Sequence, residues 1–431
     1  MEFKEICLLN DSFPPIIDGV ANVVVNYARE IEASGHSVSV VTPQHPEADD
    51  SQWSFPVVRY PSLDLRENIG YMAGNPFSLN AQLQLSQRPI SLLHSHCPVM
   101  SNIFARTLRN AMDVPLIMTY HTKFDIDINN AIRSKLLQTG AIKALVNSVS
   151  ACDELWVVSR GAGENIRSLG YEGDYIVMEN GVDMPKGRVP EAEVQEVVKD
   201  YDLPKKVPVF LFVGRLMWYK GLRIILDALA ALKSQNLDFR MIFIGGGGDE
   251  QEVKAYTEQL KLGDKVFFIG PVRDRQKLAA WYCRADLFLF PSTFDTNGLV
   301  VREAAAFSLG SVLVGGSCAA ENVTNGVDGL LIEENAASLA VCLARIMENA
   351  DAMHNIGMHA SDNLYISWHE AVQKAMERYE IVLDNYHSQK THHRHAGFSE
   401  EFFTFSGDLL NTLAGAEEYR KELEDKLERY W

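Results

Sequence analysis

Two stretches of the chain place charged residues where a short apolar run gives way to a helix-like pattern. In PVFLFVGRLMWYKG, residues 208–213 read as a strand that ends at Gly214. Arg215 follows, and Lys220-Gly221 opens the next amphipathic segment. At the carboxyl end of a strand in an open α/β sheet, the free N–H groups and positive end of the following helix attract anions. Arg215 adds a bidentate donor and Lys220 a compact point charge, a set that suits a diphosphate. Two solvated surface cations would be written with the same letters. In PSTFDTNGLVVREAAAFSLG, Asp295 and Glu303 stand on either side of Gly298, the first on a loop and the second in the helix that follows. A loop carboxylate can accept hydrogen bonds from sugar hydroxyls, and a carboxylate in the next helix can accept both hydroxyls of a ribose.

Four further stretches sit at strand ends. The run KEICLL leads into NDSFPPIIDGVANVVVNYARE, where Gly19 would let backbone approach a ligand closely. Residues 115–120 end at His121 in MTYHTKFD, and an apolar pair at 92–93 precedes His94 and His96. The glycines at 245–248, Gly246 among them, follow the strand-like 240–244 and would clear space for a nucleotide. Weaker signals are Asp125-x-Asp127, which spells a metal-binding pair, and the histidines between 387 and 395. No carboxylate or thiol spacing supports a closed zinc site beside the latter, and no metal ion or other cofactor is expected.

Taken together, GRL-x4-KG at 214–221, ENGVD at 179–183, the Asp295-x7-Glu303 segment with GLV inside it, and GGSCAAENVTNGVDGLLIEEN at 315–335 resemble the retaining family-four glycosyltransferases over roughly residues 5–385. One position departs from the family pattern: Asp295 stands where the family has its first Glu. The resemblance implies the GT-B fold, α/β with two Rossmann-like doubly wound domains and a cleft between them. It implies that Glu303 holds the donor ribose and Arg215 and Lys220 the diphosphate, with Gly19, Gly214 and Gly246 also on the donor. Asp295 with the backbone of Thr296, Asn297, Gly298 and Leu299 would hold the transferred sugar. His121, in the family's Y-H-T position, would face that sugar across the cleft. Pro15, Ile16, Ile17, Asp18 and His96 would line the acceptor side. The family usually has two glycines in the first loop, whereas Asp18 precedes Gly19 here.

What must position these residues is an alternation of short β-rich runs and longer helical patterns, which implies parallel βαβ units. The runs are 4–9, 37–42, 115–120, 154–158 and 175–178, then, after a polar, proline-bearing pause, 208–213, 240–244, 265–269, 286–290 and 311–314. The expected division is an acceptor-side domain at 1–185, a linker at 186–207 and a nucleotide-sugar domain at 208–367. A crossover helix at 368–385 follows, with Ala371, Met376 and Ile381 among its apolar positions, and then a His-rich hinge and helical tail at 386–431. That tail is read as extra to both domains and as a candidate for self-association.

At 431 residues, two domains are the expected number. The balance of 40 basic and 57 acidic residues, net −17, excludes a broad nucleic-acid footprint. No apolar run reaches the ~18–20 residues that cross a bilayer, and the first residues lack a leader pattern, so a cytoplasmic protein is expected, with peripheral membrane association compatible. Six scattered cysteines read as buried thiols. The function expected is a metal-independent retaining glycosyltransferase, with uridine diphosphate glucose the first donor to test. Its acceptor is a lipid, a polysaccharide or a small metabolite, the apolar loop Phe13–Ile17 favouring lipid. A sugar-nucleotide-binding protein without catalysis, a phosphorylase or a sugar-nucleotide epimerase on the same fold are the alternatives.

Overall fold

The computed structural model describes residues 4–16, 18–65, 72–125, 128, 132, 134–388, 403, 405–408 and 410–412. Ile17, Asp127, the histidines beyond 388 and most of the tail lie outside the described residues. The chain forms two compact units, Met1–Glu179 with Ala371–Trp431, and Asn180–Glu370.

The first unit carries strands β1 (Ile6–Leu9), β2 (Val38–Pro43), β3 (Val57–Tyr60), β4 (Ser62–Asp64), β5 (Met72–Gly74), β6 (Leu92–Ser95), β7 (Leu116–Tyr120), β8 (Glu154–Val157) and β9 (Ile176–Val177). Seven of them form one sheet in the order β3-β2-β1-β6-β7-β8-β9, every pair parallel. β4 and β5 make a separate antiparallel pair. Every residue of β1, β2, β6 and β7 is buried, as a parallel sheet covered on both faces requires.

The second unit repeats the plan with β10 (Val209–Val213), β11 (Arg240–Ile244), β12 (Val266–Gly270), β13 (Leu287–Phe290), β14 (Ser311–Val314) and β15 (Leu330–Ile332), all parallel in the order β12-β11-β10-β13-β14-β15. Both sheets reverse their winding at one point, between β1 and β6 in the first and between β10 and β13 in the second. Crevices at such reversals, outside the carboxyl ends of the strands, are where open α/β sheets bind ligands. The loops leaving β1, β6, β10 and β13 hold Asp11–Asp18, His96, Gly214–Gly221 and Pro291–Gly298.

The structure corrects the division of the chain. The passage between units falls at 179/180 and 370/371, and 186–207 is part of the second unit rather than a linker. Within it the helix Glu191–Val198 buries Val194 and Val198 in the second core, and Arg188 donates to the Cys283 carbonyl at 2.7 Å. The crossover helix, Trp368–Ser388, buries Ala371, Val372, Ala375, Tyr379, Val382 and Leu383, whereas Ile381 is exposed. Nor is the described part of the tail extra: Leu410 is fully buried in a cluster with Cys7, Leu93, Leu108 and Leu116, and Phe403 lies under the Arg106 guanidinium at 3.9 Å. Of the other described tail residues, Phe405 is exposed. All six cysteines are free thiols. No described helix is long and apolar enough to cross a membrane.

Candidate active site

In the second unit, the loops leaving β10 and β13 are locked to each other. Gly221 has φ +77°, and a Cβ there would collide with the carbonyl of Pro291, so only glycine lets the two loops approach. Beside it Lys220, with a side chain only 9% exposed, places Nζ 2.5 Å from Oδ1 of Asp295. Ser292 Oγ donates to the other Asp295 oxygen at 2.5 Å. The ammonium also lies 5.6–5.9 Å from the ring centroids of Tyr219, Phe290 and Phe294. Arg215 is exposed, its guanidinium 6.0 Å from the Tyr219 ring. One buried and one exposed cation thus flank the strand end.

Gly298, at φ +61°, caps the helix Leu299–Ala306, and a Cβ on it would press into Ala319. Just before it the amide nitrogen of Asn297 is buried without a hydrogen-bond partner, as is Ser317 Oγ in the loop after β14. Glu303 receives the hydroxyl of the fully buried Tyr282 at 2.9 Å on Oε2 and Arg275 Nη1 at 3.2 Å on Oε1. Arg275 also reaches Asp183 of the ENGVD stretch at 3.0 Å. Burial raises the Glu303 pKa above the usual carboxylate value, and Arg275 and the Tyr282 hydroxyl oppose the rise. The glycine run is explained in part by its own surroundings: Cβ atoms at Gly245 and Gly247 would strike the carbonyls of Gly214 and Leu216, and the Gly246 carbonyl accepts from Leu216 N–H at 3.0 Å.

In the first unit, Asp18 is the N-cap of the helix Gly19–Ala33, its carboxylate accepting from Ala21 N–H at 2.7 Å. Open space surrounds the Cβ position of Gly19, so no packing demand of the described chain accounts for a glycine there. Pro15 is exposed and Ile16 half-buried. Two residues not singled out from the sequence hold this loop. Asp11 accepts from Ser101 N–H at 2.7 Å and Met100 N–H at 3.1 Å, capping the helix Met100–Met112. Arg59, paired with Asp50, donates to the Pro14 carbonyl at 2.7 Å.

The three histidines form one buried group. His94 lies between the Tyr379 hydroxyl at 2.6 Å and Thr119 Oγ1 at 2.7 Å. His96 Nδ1 is 3.0 Å from His121 Nε2, with the two rings 20° from parallel. Burial pushes the His121 pKa down to about 3 and those of His94 and His96 well below the usual histidine value. All three are therefore neutral at pH 7. His96 is 2% exposed. Among the described residues no group of three or more His, Cys, Asp or Glu side chains is gathered to hold a metal ion. Asp125 accepts instead from Asn165 at 3.1 Å.

Residues 193–362 match the family described as Glycosyl transferases group 1, and residues 17–185 match Glycosyltransferase Family 4. The chain is a family-four glycosyltransferase. Its relatives include alpha-monoglucosyldiacylglycerol synthase of Acholeplasma laidlawii, 23% identical, the match covering 82% of this chain and 91% of that one. Another is D-inositol 3-phosphate glycosyltransferase of Xylanimonas cellulosilytica, 26% identical over 73% and 79%. Among solved structures the glycosyltransferase shares its GT-B fold with sucrose-phosphate synthase from Thermosynechococcus elongatus, at TM-score 0.71 and 20% identity, covering 89% and 100% of the two chains. It shares the fold also with Anabaena HepE in complex with UDP-glucose, at TM-score 0.67 and 17% identity, covering 88% and 99%.

Proposed function

We propose that this glycosyltransferase moves glucose from uridine diphosphate glucose to a hydroxyl of a lipid acceptor with retention of configuration, and that it does so without a metal ion. The observation that carries the reading is the Lys220–Asp295 pair beside the exposed Arg215, at the reversal point of the second sheet. Arg215 and Lys220 take the diphosphate, with Gly214 and Gly246 beside it, and Glu303 takes the ribose hydroxyls. Asp295 and the Thr296–Leu299 backbone hold the sugar, and His121 gives it a hydrogen bond. Gly19 lets the first loop approach the donor, and Pro15, Ile16, Ile17 and Asp18 serve the acceptor. The names of the diacylglycerol-acting relatives and the apolar character of the loop support a lipid acceptor reached from the membrane surface.

Glycosyl transfer passes through an oxocarbenium-like state, in which negative charge grows on the departing phosphate. The two cations and the glycine-capped helix end stabilise that charge in place of a divalent ion. No side chain is assigned as a covalent nucleophile. The acceptor attacks from the face the phosphate leaves, and its proton passes to the leaving phosphate oxygen.

The test is a thermal-shift screen over UDP-, GDP- and ADP-sugars, followed by mass spectrometry of products formed on diacylglycerol vesicles before and after exhaustive EDTA treatment. A glucosylated lipid formed equally in both arms is the expected result. Product that needs added Mg2+ or Mn2+ after chelation overturns metal independence, and donor isomerisation without acceptor transfer overturns the transferase reading.

A further inference from the structure

The buried histidines carry a consequence for which form of His121 exists in the protein. A neutral imidazole holds one proton, and the nitrogen that bears it is decided by the hydrogen bond the other nitrogen makes. Between His96 Nδ1 and His121 Nε2, 3.0 Å apart, one nitrogen donates and the other accepts. The remaining nitrogen of His96, Nε2, is buried and has no hydrogen-bond partner.

Two arrangements are available. In one, His121 Nε2–H donates to His96 Nδ1, and the His96 proton sits on Nε2 as a buried N–H with no acceptor. In the other, His96 Nδ1–H donates to His121 Nε2, and the orphan at His96 Nε2 is only a lone pair. Buried N–H groups without acceptors are the rarer and costlier defect, so the second arrangement prevails. We infer that His96 is a positioning residue that donates from Nδ1 to His121 Nε2 and thereby fixes His121 as the Nδ1–H tautomer, a hydrogen-bond donor towards the sugar being transferred. The inference rests on the reading of His121 given above.

The pair is set by the sheet rather than by loop chance. β6 and β7 are parallel neighbours in register Leu93↔Leu116 to Ser95↔Met118, and His96 meets His121 across them two positions out of register, the same offset at which His94 meets Thr119. Tyr27 packs edge-on to His96 at 5.3 Å between ring centroids, and His94 lies against it at 4.1 Å, so the His96 ring cannot turn freely. Burial depresses the basicity of both rings and keeps them neutral, so each carries a single proton. Free histidine side chains favour the opposite, Nε2–H form, so His96 reverses an intrinsic preference.

The test uses the full chain with 15N-labelled imidazoles, the His121 resonances being assigned by their loss in His121→Asn. Long-range 1H–15N spectra distinguish the two tautomers directly. The wild type is expected to show His121 protonated at Nδ1. His96→Leu is expected to shift His121 to Nε2–H and to lower kcat for transfer from UDP-glucose to diacylglycerol vesicles by about 10–100-fold, with the donor KM within about threefold. His96→Asn, whose amide nitrogen occupies the Nδ1 position, is expected to restore both tautomer and kcat, whereas His96→Gln, whose amide reaches the Nε2 position instead, is not. A wild-type His121 protonated at Nε2, or a tautomer unmoved by His96→Leu, overturns the inference. A tautomer that shifts as expected with kcat unchanged supports the assignment and overturns instead the reading that His121 serves the sugar.

Discussion

Nζ of Lys220 lies 2.5 Å from Oδ1 of Asp295, so the cation proposed for the diphosphate and the carboxylate proposed for the sugar are each other's counterions before any donor binds. Asp295→Asn keeps the shape and leaves a nearly buried ammonium uncompensated, which is destabilising. The expected result is a lower Tm for the free protein and a larger stabilisation by UDP than in the wild type, because the diphosphate replaces the missing charge. Turnover is expected to fall on the order of 10²-fold, as when one preorganised group is lost from a site. Differential scanning calorimetry with and without UDP, together with kcat, checks both parts.

Arg215 is exposed and holds no carboxylate partner among the described ion pairs, so truncating it leaves the fold intact. Arg215→Ala is expected to cost about 2–4 kcal/mol of transition-state stabilisation, read as a loss in kcat/KM at unchanged Tm. Unchanged turnover in the folded variant removes Arg215 from the phosphate site.

The proposed ribose carboxylate depends on Tyr282, and the pH response follows from that contact. Burial raises the Glu303 pKa, so the ionised form that accepts ribose hydroxyls is lost on acidification at a pH above the ordinary glutamate value. The Tyr282 hydroxyl favours the ionised form, and Tyr282→Phe removes it, pushing the pKa higher still. The ratio of UDP affinity to 2′,3′-dideoxy-UDP affinity cancels titration of the phosphates. That ratio is expected to collapse on acidification in the wild type, and at a higher pH in Tyr282→Phe. A ratio that ignores both pH and the mutation takes the ribose away from Glu303.

Which parts of this arrangement the sequence disclosed depends on where the information lies. β10 and β11 are legible because VFLFV and RMIFI are continuous apolar runs between polar segments. β3 to β5 are not, since VVRY, SLD and MAG are three or four residues long and owe their strand form to neighbours far along the chain. The helix Glu191–Val198 is hidden by flanking proline and charge, although Val194 and Val198, spaced i and i+4, were the available signal. Strand-end positions made Arg215, Lys220, His121, Asp295 and Glu303 visible one at a time. Their partners were not: Tyr282 and Arg275 reach Glu303, and Arg275 reaches Asp183, only through tertiary packing, and no periodicity announces such contacts. The same holds for Arg59 on the Pro14 carbonyl.

Leu410 tests the tail. It is fully buried against Cys7, Leu93 and Leu108, and Leu410→Ala is expected to cost about 2–5 kcal/mol, as for other buried leucines. The loss falls on the first unit, so UDP affinity in the still-folded variant is expected to stay within about twofold while Tm drops. A denaturant titration and a nucleotide titration check the two halves. A destabilisation below about 0.5 kcal/mol removes the tail from the core.

The return of the chain to its first unit also governs the order in which the protein is made. Trp156 of β8 stacks on Tyr379 at 5.2 Å between centroids, and Glu154 pairs with Arg378, so the earliest-synthesised sheet closes against residues made more than two hundred positions later. The second unit, by contrast, is continuous from Asn180 to Glu370. On the ribosome, where domains otherwise mature from the N-terminus onward, the middle of this chain can complete its core while the beginning still waits for its last helix and for Leu410. Once about 375 residues have emerged from the ribosome, a finished second half is therefore joined to an open first half whose strand β8 still lacks its aromatic cover, the stage at which a chaperone has most to protect.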